Sequence, residues 1–338
     1  MTRPRRPLSP ETRSRSSAPG VLDPAGCPPP GASGRRGLHG LPASSAGSPS
    51  IGQRAAALVV LTKPRIIELL LVTTLPTMIV AAHGWPPITL MVTTLVGGTL
   101  AAGGANAINM YVDRDIDAVM HRTANRPLVT GIVTPPAALA FALILEITAF
   151  ALLWTTVNLL SAVLAISATL FYVFVYTLWL KRTSVHNVVI GGAAGAVPVL
   201  VGWAAVRGSL SLAPLMLFAL VFVWTPPHTW ALAFRYRDDY RSVNVPMLPA
   251  VAPFSRVARQ IVAYSLLVVA ASLGFGWAAH LGLVYWVAAS ASGVAFLGYA
   301  VALYLDQTAA RAMRLFHWSI TYVTLLFAAM AVDQLTHH

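Results

Sequence analysis

The sequence predicts an all-α, polytopic membrane protein with nine transmembrane helices, its N-terminus inside and its C-terminus outside. Three observations predict this class. Of the 338 residues, 57% are hydrophobic and only 10% are charged, whereas a soluble domain carries about 25% charged residues. Apolar runs of about 18 to 25 residues recur along the chain, each long enough to cross a hydrocarbon core of about 30 Å. The basic residues fall almost entirely on one side of those runs, which the positive-inside rule reads as the cytoplasm.

Residues 1–50 are rich in Pro, Gly, Ser and Arg and have no apolar period. A segment of that composition cannot bury enough surface to fold, so it reads as a disordered cytoplasmic tail. It lacks the continuous apolar core of a secretory signal, and its Pro and Gly content argues against a transit-type amphipathic helix. It holds the single cysteine, Cys27, so neither an intrachain disulfide nor a cysteine metal cluster is available.

Nine spans follow, near residues 66–83, 88–108, 137–156, 161–180, 188–206, 211–233, 258–279, 283–305 and 316–334. Each begins or ends where charge, Pro or Gly interrupts the apolar run. Arg54, Lys63 and Arg65 precede the first span, Arg114, Arg122 and Arg126 follow the second, and Lys181 and Arg182 follow the fourth. Arg235, Arg237, Arg241, Arg256 and Arg259 follow the sixth, and Arg311 and Arg314 the eighth, while the opposite loops hold only Arg207. The net charge of +12 is therefore a mark of topology and of contact with a lipid bilayer, not of nucleic-acid binding.

The chain has only 11 acidic residues, and three of them, Asp113, Asp115 and Asp117, lie within five positions at the end of the second span. At four-residue spacing Asn109, Asp113 and Asp117 share one helix face. Carboxylates stacked one turn apart repel unless a cation sits between them, and oxygen ligands beside a phosphate-bearing substrate suit Mg²⁺. A second acidic string, Arg235-Tyr-Arg-Asp238-Asp239-Tyr240-Arg241, follows the sixth span, four spans later, and suggests two related four-helix halves plus a ninth helix. Two such clusters on one side, with Lys63, Arg65, Arg122, Arg126, Lys181 and Arg182 around them, could hold a diphosphate. A solvated charged helix end and a set of topology signals are the plainer readings, but acidic residues contribute little to orientation. Pro226 and Pro227 interrupt the helical ladder of the sixth span. His228 beside them reads as a packed structural histidine more readily than as a substrate contact. Glu146 is an acid within an apolar run, where acids are rare; Asn158 is a polar residue beside one, and Glu68 sits where it can reach the interface.

Asn109-x3-Asp113-x3-Asp117, Arg122 and Arg126-Pro-Leu together resemble the UbiA-type intramembrane prenyltransferases. Further strings make the chain most similar to the branch that farnesylates protohaem IX, the haem O synthases. They are Leu61-Thr-Lys-Pro-Arg65, Asn125-Arg-Pro-Leu-Val-Thr-Gly131, Lys181-Arg-x3-His-Asn187, Trp224-Thr-Pro-Pro-His228, Asp239-Tyr, Val245-Pro-Met-Leu-Pro249 and Ser319-Ile-Thr-Tyr322. The resemblance covers residues 51–338, which it implies are the intramembrane prenyltransferase domain. It implies transfer of a farnesyl group from farnesyl diphosphate to a vinyl group of haem B, which is a substrate and not a cofactor. Water then supplies a hydroxyl and diphosphate leaves.

By the same resemblance Asn109, Asp113 and Asp117 would hold Mg²⁺–diphosphate from one side and Asp238 or Asp239 from the other. Asp239 is the expected metal ligand of that pair. Lys63, Arg65, Arg122, Arg126 and Lys181 would bind phosphate oxygens, and Asn187, His228 and Tyr240 would contact substrate. The site would face the cytoplasm from the cell membrane, with haem A synthase or terminal-oxidase assembly factors as candidate partners. One departure stands out: many relatives carry Asp-x3-Asp as the second motif, whereas here Tyr236 and Tyr240 have that spacing. A prenyltransferase for a quinone precursor shares the diphosphate site, and an organic-anion transporter shares the one-sided basic charge.

Overall fold

The structure is a computed structural model that describes residues 49–336. The expected tail therefore lies outside the described residues except for its last two, and so does Cys27. The first helix, α1 (Ile51–Thr62), begins where the tail was expected to end. It lies ahead of the first expected span, where the sequence predicts only a basic flank. It folds because Ser50 and Gln53 form a reciprocal capping box, each side chain bonding the other's backbone N–H at 3.2 and 2.8 Å.

The remaining long helices are α2 (Pro64–Ala82), α3 (Ile88–Val112), α5 (Pro135–Thr156), α6 (Leu159–Thr183), α7 (Asn187–Arg207), α8 (Leu212–Arg235), α11 (Phe254–Ala278), α12 (Leu283–Leu305) and α13 (Ala309–Thr336). Eight of them, α3 and α5 through α8 with α11 through α13, are long and apolar enough to cross a membrane. The first expected span is α2. Its continuous apolar part is only Leu71–Ala82, because Arg65 and Glu68 occupy its exposed first turns. Between the long helices lie the short α4 (Arg114–Val119), α9 (Arg237–Ser242) and α10 (Leu248–Val251). Among the described residues all regular structure is helical.

The helices close into one bundle. Each of α5, α6, α7 and α8 packs on its chain neighbour, and α3 packs on α5. The last helix, α13, lies against α12, α8 and α2, and α2 in turn packs on α7. Gly202 permits that contact, since a Cβ there would stand 2.8 Å from the Thr74 carbonyl. Trp224, Trp230, Phe275, Tyr285, Phe296 and Tyr322 are buried in the half formed by α7 to α13. Val92, Ile144, Ile147, Leu266, Val287 and Val294 are exposed on the outside of the bundle, as a belt of lipid-facing side chains should be. The molecule is a multi-pass membrane protein.

Two expectations are refined. Helix α8 runs unbroken through Pro226 and Pro227, both buried. Helix α6 is not uniform: Phe171–Leu180 is π-helical, and the wider turn is visible where Thr177 Oγ1 donates to the carbonyl of Tyr172, five residues back, at 2.8 Å. Asn158 caps α6 through the N–H of Ser161 and donates to the Ala204 carbonyl on α7, each at 2.8 Å, so it ties two helices together.

Candidate active site

Helix α3 ends at Val112 and Asp113 caps it, so the acidic string is split between α3 and α4. The helical register survives the split. Asp113 N–H bonds the Asn109 carbonyl and Asp117 N–H the Asp113 carbonyl, both at 2.9 Å. Asn109, Asp113 and Asp117 therefore stay on one face, and all three are buried. Asn109 is the hub: its Oδ1 accepts from Lys63 Nζ at 2.8 Å, and its Nδ2 donates to Asp113 Oδ2 at 2.7 Å and to Thr177 Oγ1 at 3.1 Å.

Lys63 reaches this hub from the junction of α1 and α2, where it adopts φ 55°. That conformation is costly for a non-glycine residue and more so before a proline, and it aims the side chain inward. Burial, reinforced by the charges of Arg126 and Lys181, lowers the Lys63 amine to about 7. The cations that the stacked carboxylates require are supplied by the chain itself. Lys181 pairs with Asp113, Arg126 pairs with Asp117, and Arg182 holds Asp115 through two bonds of 2.7 Å. The guanidinium of Arg182 keeps the Asp115 carboxyl down at about 2.

The second acidic string meets the first. Helix α9 starts two residues beyond α8 just as α4 starts two residues beyond α3, and each is six residues long with acids in its first turn. Counted from the helix ends, Tyr236 and Tyr240 stand where Asp113 and Asp117 stand. Asp239 Oδ2 accepts from the N–H of Arg122 at 3.2 Å, and the Arg122 guanidinium lies 5.2 Å over the Tyr236 ring. Tyr240 packs, partly buried, against the apolar core, and burial raises its phenol against the pull of Arg122 and Arg126. Asp238 instead is 87% exposed and pairs with Arg237 and Arg241.

An apolar cavity of about 180 Å³ lies between α2, α3, α6 and α7. On α3 its wall runs from Thr94 to Asn106, ending one turn short of Asn109, and on α6 it ends at Tyr172. The polar cluster thus sits at one end of a greasy chamber. Asp113 Oδ1, fully buried, accepts no hydrogen bond and has Arg182 Nη2 3.7 Å away; a carboxylate oxygen so loosely held beside Asn109 and Asp117 fits a hard cation. Among the described residues no three acidic, His or Cys side chains form a ready-made metal cluster. Mg²⁺ needs only one or two carboxylates when phosphate oxygens complete its shell.

Other expected residues stand apart. Arg65 is exposed. Asn187 is fully buried and directs Nδ2 to the Pro246 carbonyl at 3.5 Å, tying α7 to the Val245-Pro-Met-Leu-Pro249 loop. The His228 ring stacks between Trp224 and Phe316, with centroids 4.3 and 4.7 Å away, and its Nδ1 lies 2.7 Å from Ser319 Oγ. Thr177, Asn106 and Tyr172 join the site without having been singled out. Asn106 is three residues before Asn109, so helical spacing alone pointed to it.

The chain matches the UbiA prenyltransferase family over residues 70–321. It is 52% identical over 288 residues to the protoheme IX farnesyltransferase of Clavibacter sepedonicus, covering 84% of this chain and 94% of the relative. With that of Frankia alni the identity is 54% over 281 residues, covering 82% and 96%. The fold is shared with an apo UbiA homologue from Aeropyrum pernix K1, with a TM-score of 0.65, 21% identity and coverage of 80% and 99%. An Archaeoglobus fulgidus UbiA homologue bound to GPP and Mg²⁺ shares it with a TM-score of 0.58, 15% identity and coverage of 81% and 99%. A buried Asn-x3-Asp-x3-Asp face ringed by cations over an apolar chamber, and a match running through most of the bundle, lead to one assignment: the chain belongs to the UbiA prenyltransferase family.

Proposed function

We propose that this chain transfers the farnesyl group of farnesyl diphosphate to a vinyl group of protohaem IX, releasing diphosphate and forming haem O. The observation that carries the reading is the convergence of Lys63, Arg126 and Lys181 on the Asn109–Asp113–Asp117 face at the mouth of the apolar cavity. Relatives of about half-identical sequence bear that activity in their names.

Lys63, Arg126 and Lys181 present positive charge where the diphosphate oxygens gain negative charge as the C–O bond breaks, which lowers the barrier. Asn109, Asp113, Asp117 and, across the loop, Asp239 would hold Mg²⁺, which when bound supplies Lewis-acid charge to the leaving diphosphate. The cavity walls, largely Ala, Gly, Val and Leu, take the isoprenoid chain and keep bulk water from the allylic cation. His228, on α8, serves the haem. Arg122 holds Asp239 in place through its backbone N–H, and Tyr240 packs against the apolar core.

Residues 51–338 carry this activity. All nine long helices cross the cell membrane, α2 included, with the site and the N-terminal side in the cytoplasm and the C-terminus outside. The test is to supply purified protein in nanodiscs with farnesyl diphosphate, Mg²⁺ and either haem B or 4-hydroxybenzoate. Farnesylated haem and stoichiometric diphosphate support the reading. Farnesylation of 4-hydroxybenzoate alone would reassign it to a quinone-precursor enzyme, and uptake of an organic anion without diphosphate release would make it a transporter.

A further inference from the structure

Helix α5 contains a single charged residue, Glu146, in 22 positions. It is 6% exposed, and no role in diphosphate binding uses it. An acid at such depth persists against a large desolvation cost and calls for a function. Its surroundings are built for it. Gly104 on α3 leaves the space it fills, because a Cβ there would stand 2.6 Å from Glu146 Oε1. Oε1 accepts from Thr169 Oγ1 on α6 at 3.1 Å, while Oε2 is buried with no hydrogen-bond partner. Thr169 is itself part of the cavity wall, beside Ala105 and Asn106. Counted along α3, Gly104 lies five residues before Asn109, about 7 Å deeper than the diphosphate-binding face.

We propose that Thr169 and Glu146 form the water-activating pair of the reaction, with Thr169 touching the water and Glu146 accepting its proton. The inference rests on the farnesyl-transfer reading. In that reaction the farnesyl C–O bond breaks and diphosphate leaves with the electron pair. The vinyl π electrons form the new C–C bond, which leaves a cation on the vinyl carbon next to the porphyrin ring. A water lone pair closes on that carbon, and the oxonium formed must lose one proton. The Thr169 hydroxyl, already donating to Glu146 Oε1, passes its hydrogen to the carboxylate and takes the proton of the water. The step needs no further reactant. The cation is also the opposite charge that the Glu146 carboxylate otherwise lacks. A hydroxyl relay of this kind is worth on the order of a hundredfold as general-base catalysis.

The measurement is the ratio of hydroxylated to non-hydroxylated farnesyl haem by mass, with diphosphate release followed in parallel, in nanodiscs with farnesyl diphosphate, Mg²⁺ and haem B. Glu146→Gln keeps the shape and still accepts from Thr169, but it cannot take a proton. It should release diphosphate at nearly the wild-type rate while the hydroxylated fraction falls about a hundredfold. In its place should appear an olefin lighter by one water, formed when the cation sheds a proton from the adjacent carbon. A wild-type product ratio in Glu146→Gln overturns the proposal. If that variant neither binds farnesyl diphosphate nor releases diphosphate, the isosteric Thr169→Val decides. It should shift the product in the same way, and Thr169→Ser should restore hydroxylation; an unchanged ratio in Thr169→Val overturns the proposal. A purely structural bond would lower the yield of every product without changing their ratio. Failure of the farnesyl-transfer reading is distinguishable, since wild type would then make no farnesylated haem at all.

Discussion

The backbone N–H of Arg122 donates to Asp239 Oδ2 at 3.2 Å, so the loop that follows α3 is fastened to the short helix that follows α8. That one hydrogen bond ties the loop beyond the first acidic string to the second string across 117 positions of sequence. It also separates two adjacent carboxylates by role, because Asp238 points away and is 87% exposed. Asp239→Ala should therefore lower the rate of Mg²⁺-dependent diphosphate release about tenfold or more, the scale of a lost charge-assisted hydrogen bond. Asp238→Ala should change it less than twofold, since an exposed pair contributes at most about 1 kcal/mol. Steady-state release with farnesyl diphosphate and haem B checks both. Equal losses in the two variants would mean that the loop, not one carboxylate, is what matters.

The pairing of Lys181 with Asp113 makes a sharper prediction about stability. Removing one partner of a buried ion pair leaves the other uncompensated and costs about 3–5 kcal/mol. Asp113→Ala should thus lower the thermal midpoint in detergent as well as abolish diphosphate release. Asp113→Asn combined with Lys181→Met should recover most of the midpoint and none of the activity. A double variant as unstable as the single one would show that the pair is not coupled.

Spacing made the first acidic face legible. Asn109, Asp113 and Asp117 lie one turn apart whether or not the helix bends, and the bonds through Asp113 preserve that register. Helix α1 was missed: Ser50 and Gln53 carry the capping pattern, but its short apolar stretch hid it among the flanking residues. The π-helical Phe171–Leu180 was not legible. Its apolar run satisfies the 3.6 period equally well, and only packing against Asn109 reveals that Thr177 turns inward. Nor could any local pattern select Lys181 for Asp113, 68 positions away, because that choice is made by helices that meet in space.

His228 is held more closely than a sequence string implies. Ser319 Oγ donates to the Phe316 carbonyl at 2.6 Å, so the hydrogen between Ser319 and His228 belongs to Nδ1 of the imidazole. That leaves Nε2 with its lone pair, suited to iron or to a protonated partner. His228→Ala should raise the haem Kd while leaving farnesyl diphosphate binding unchanged, as measured by separate titrations in nanodiscs. Ser319→Ala, which loosens the ring without removing it, should weaken haem binding by about tenfold or less, the worth of one hydrogen bond. Loss of farnesyl diphosphate binding in His228→Ala would place the histidine in the fold instead.

The final prediction concerns α2. With 19 residues it is about 28 Å long at 1.5 Å per residue, close to the thickness of a bilayer core. Yet only Leu71–Ala82 is continuously apolar. Two forces oppose each other here: Arg65 and Glu68 favour keeping the first turns at the surface, and the contacts with α7 and α13 hold the rest inside the bundle. Packing should win, because Met78, Ile79, Val80 and Ala81 are buried against neighbouring helices, and long side chains at a helix start can reach the interface. A reporter fused after His338 should then read outside, and reporters inserted near residues 122 and 241 should read cytoplasmic. A reporter at the N-terminus should read cytoplasmic as well; if it reads outside with the other three unchanged, the number of crossings is even and α2 is the helix that fails to cross.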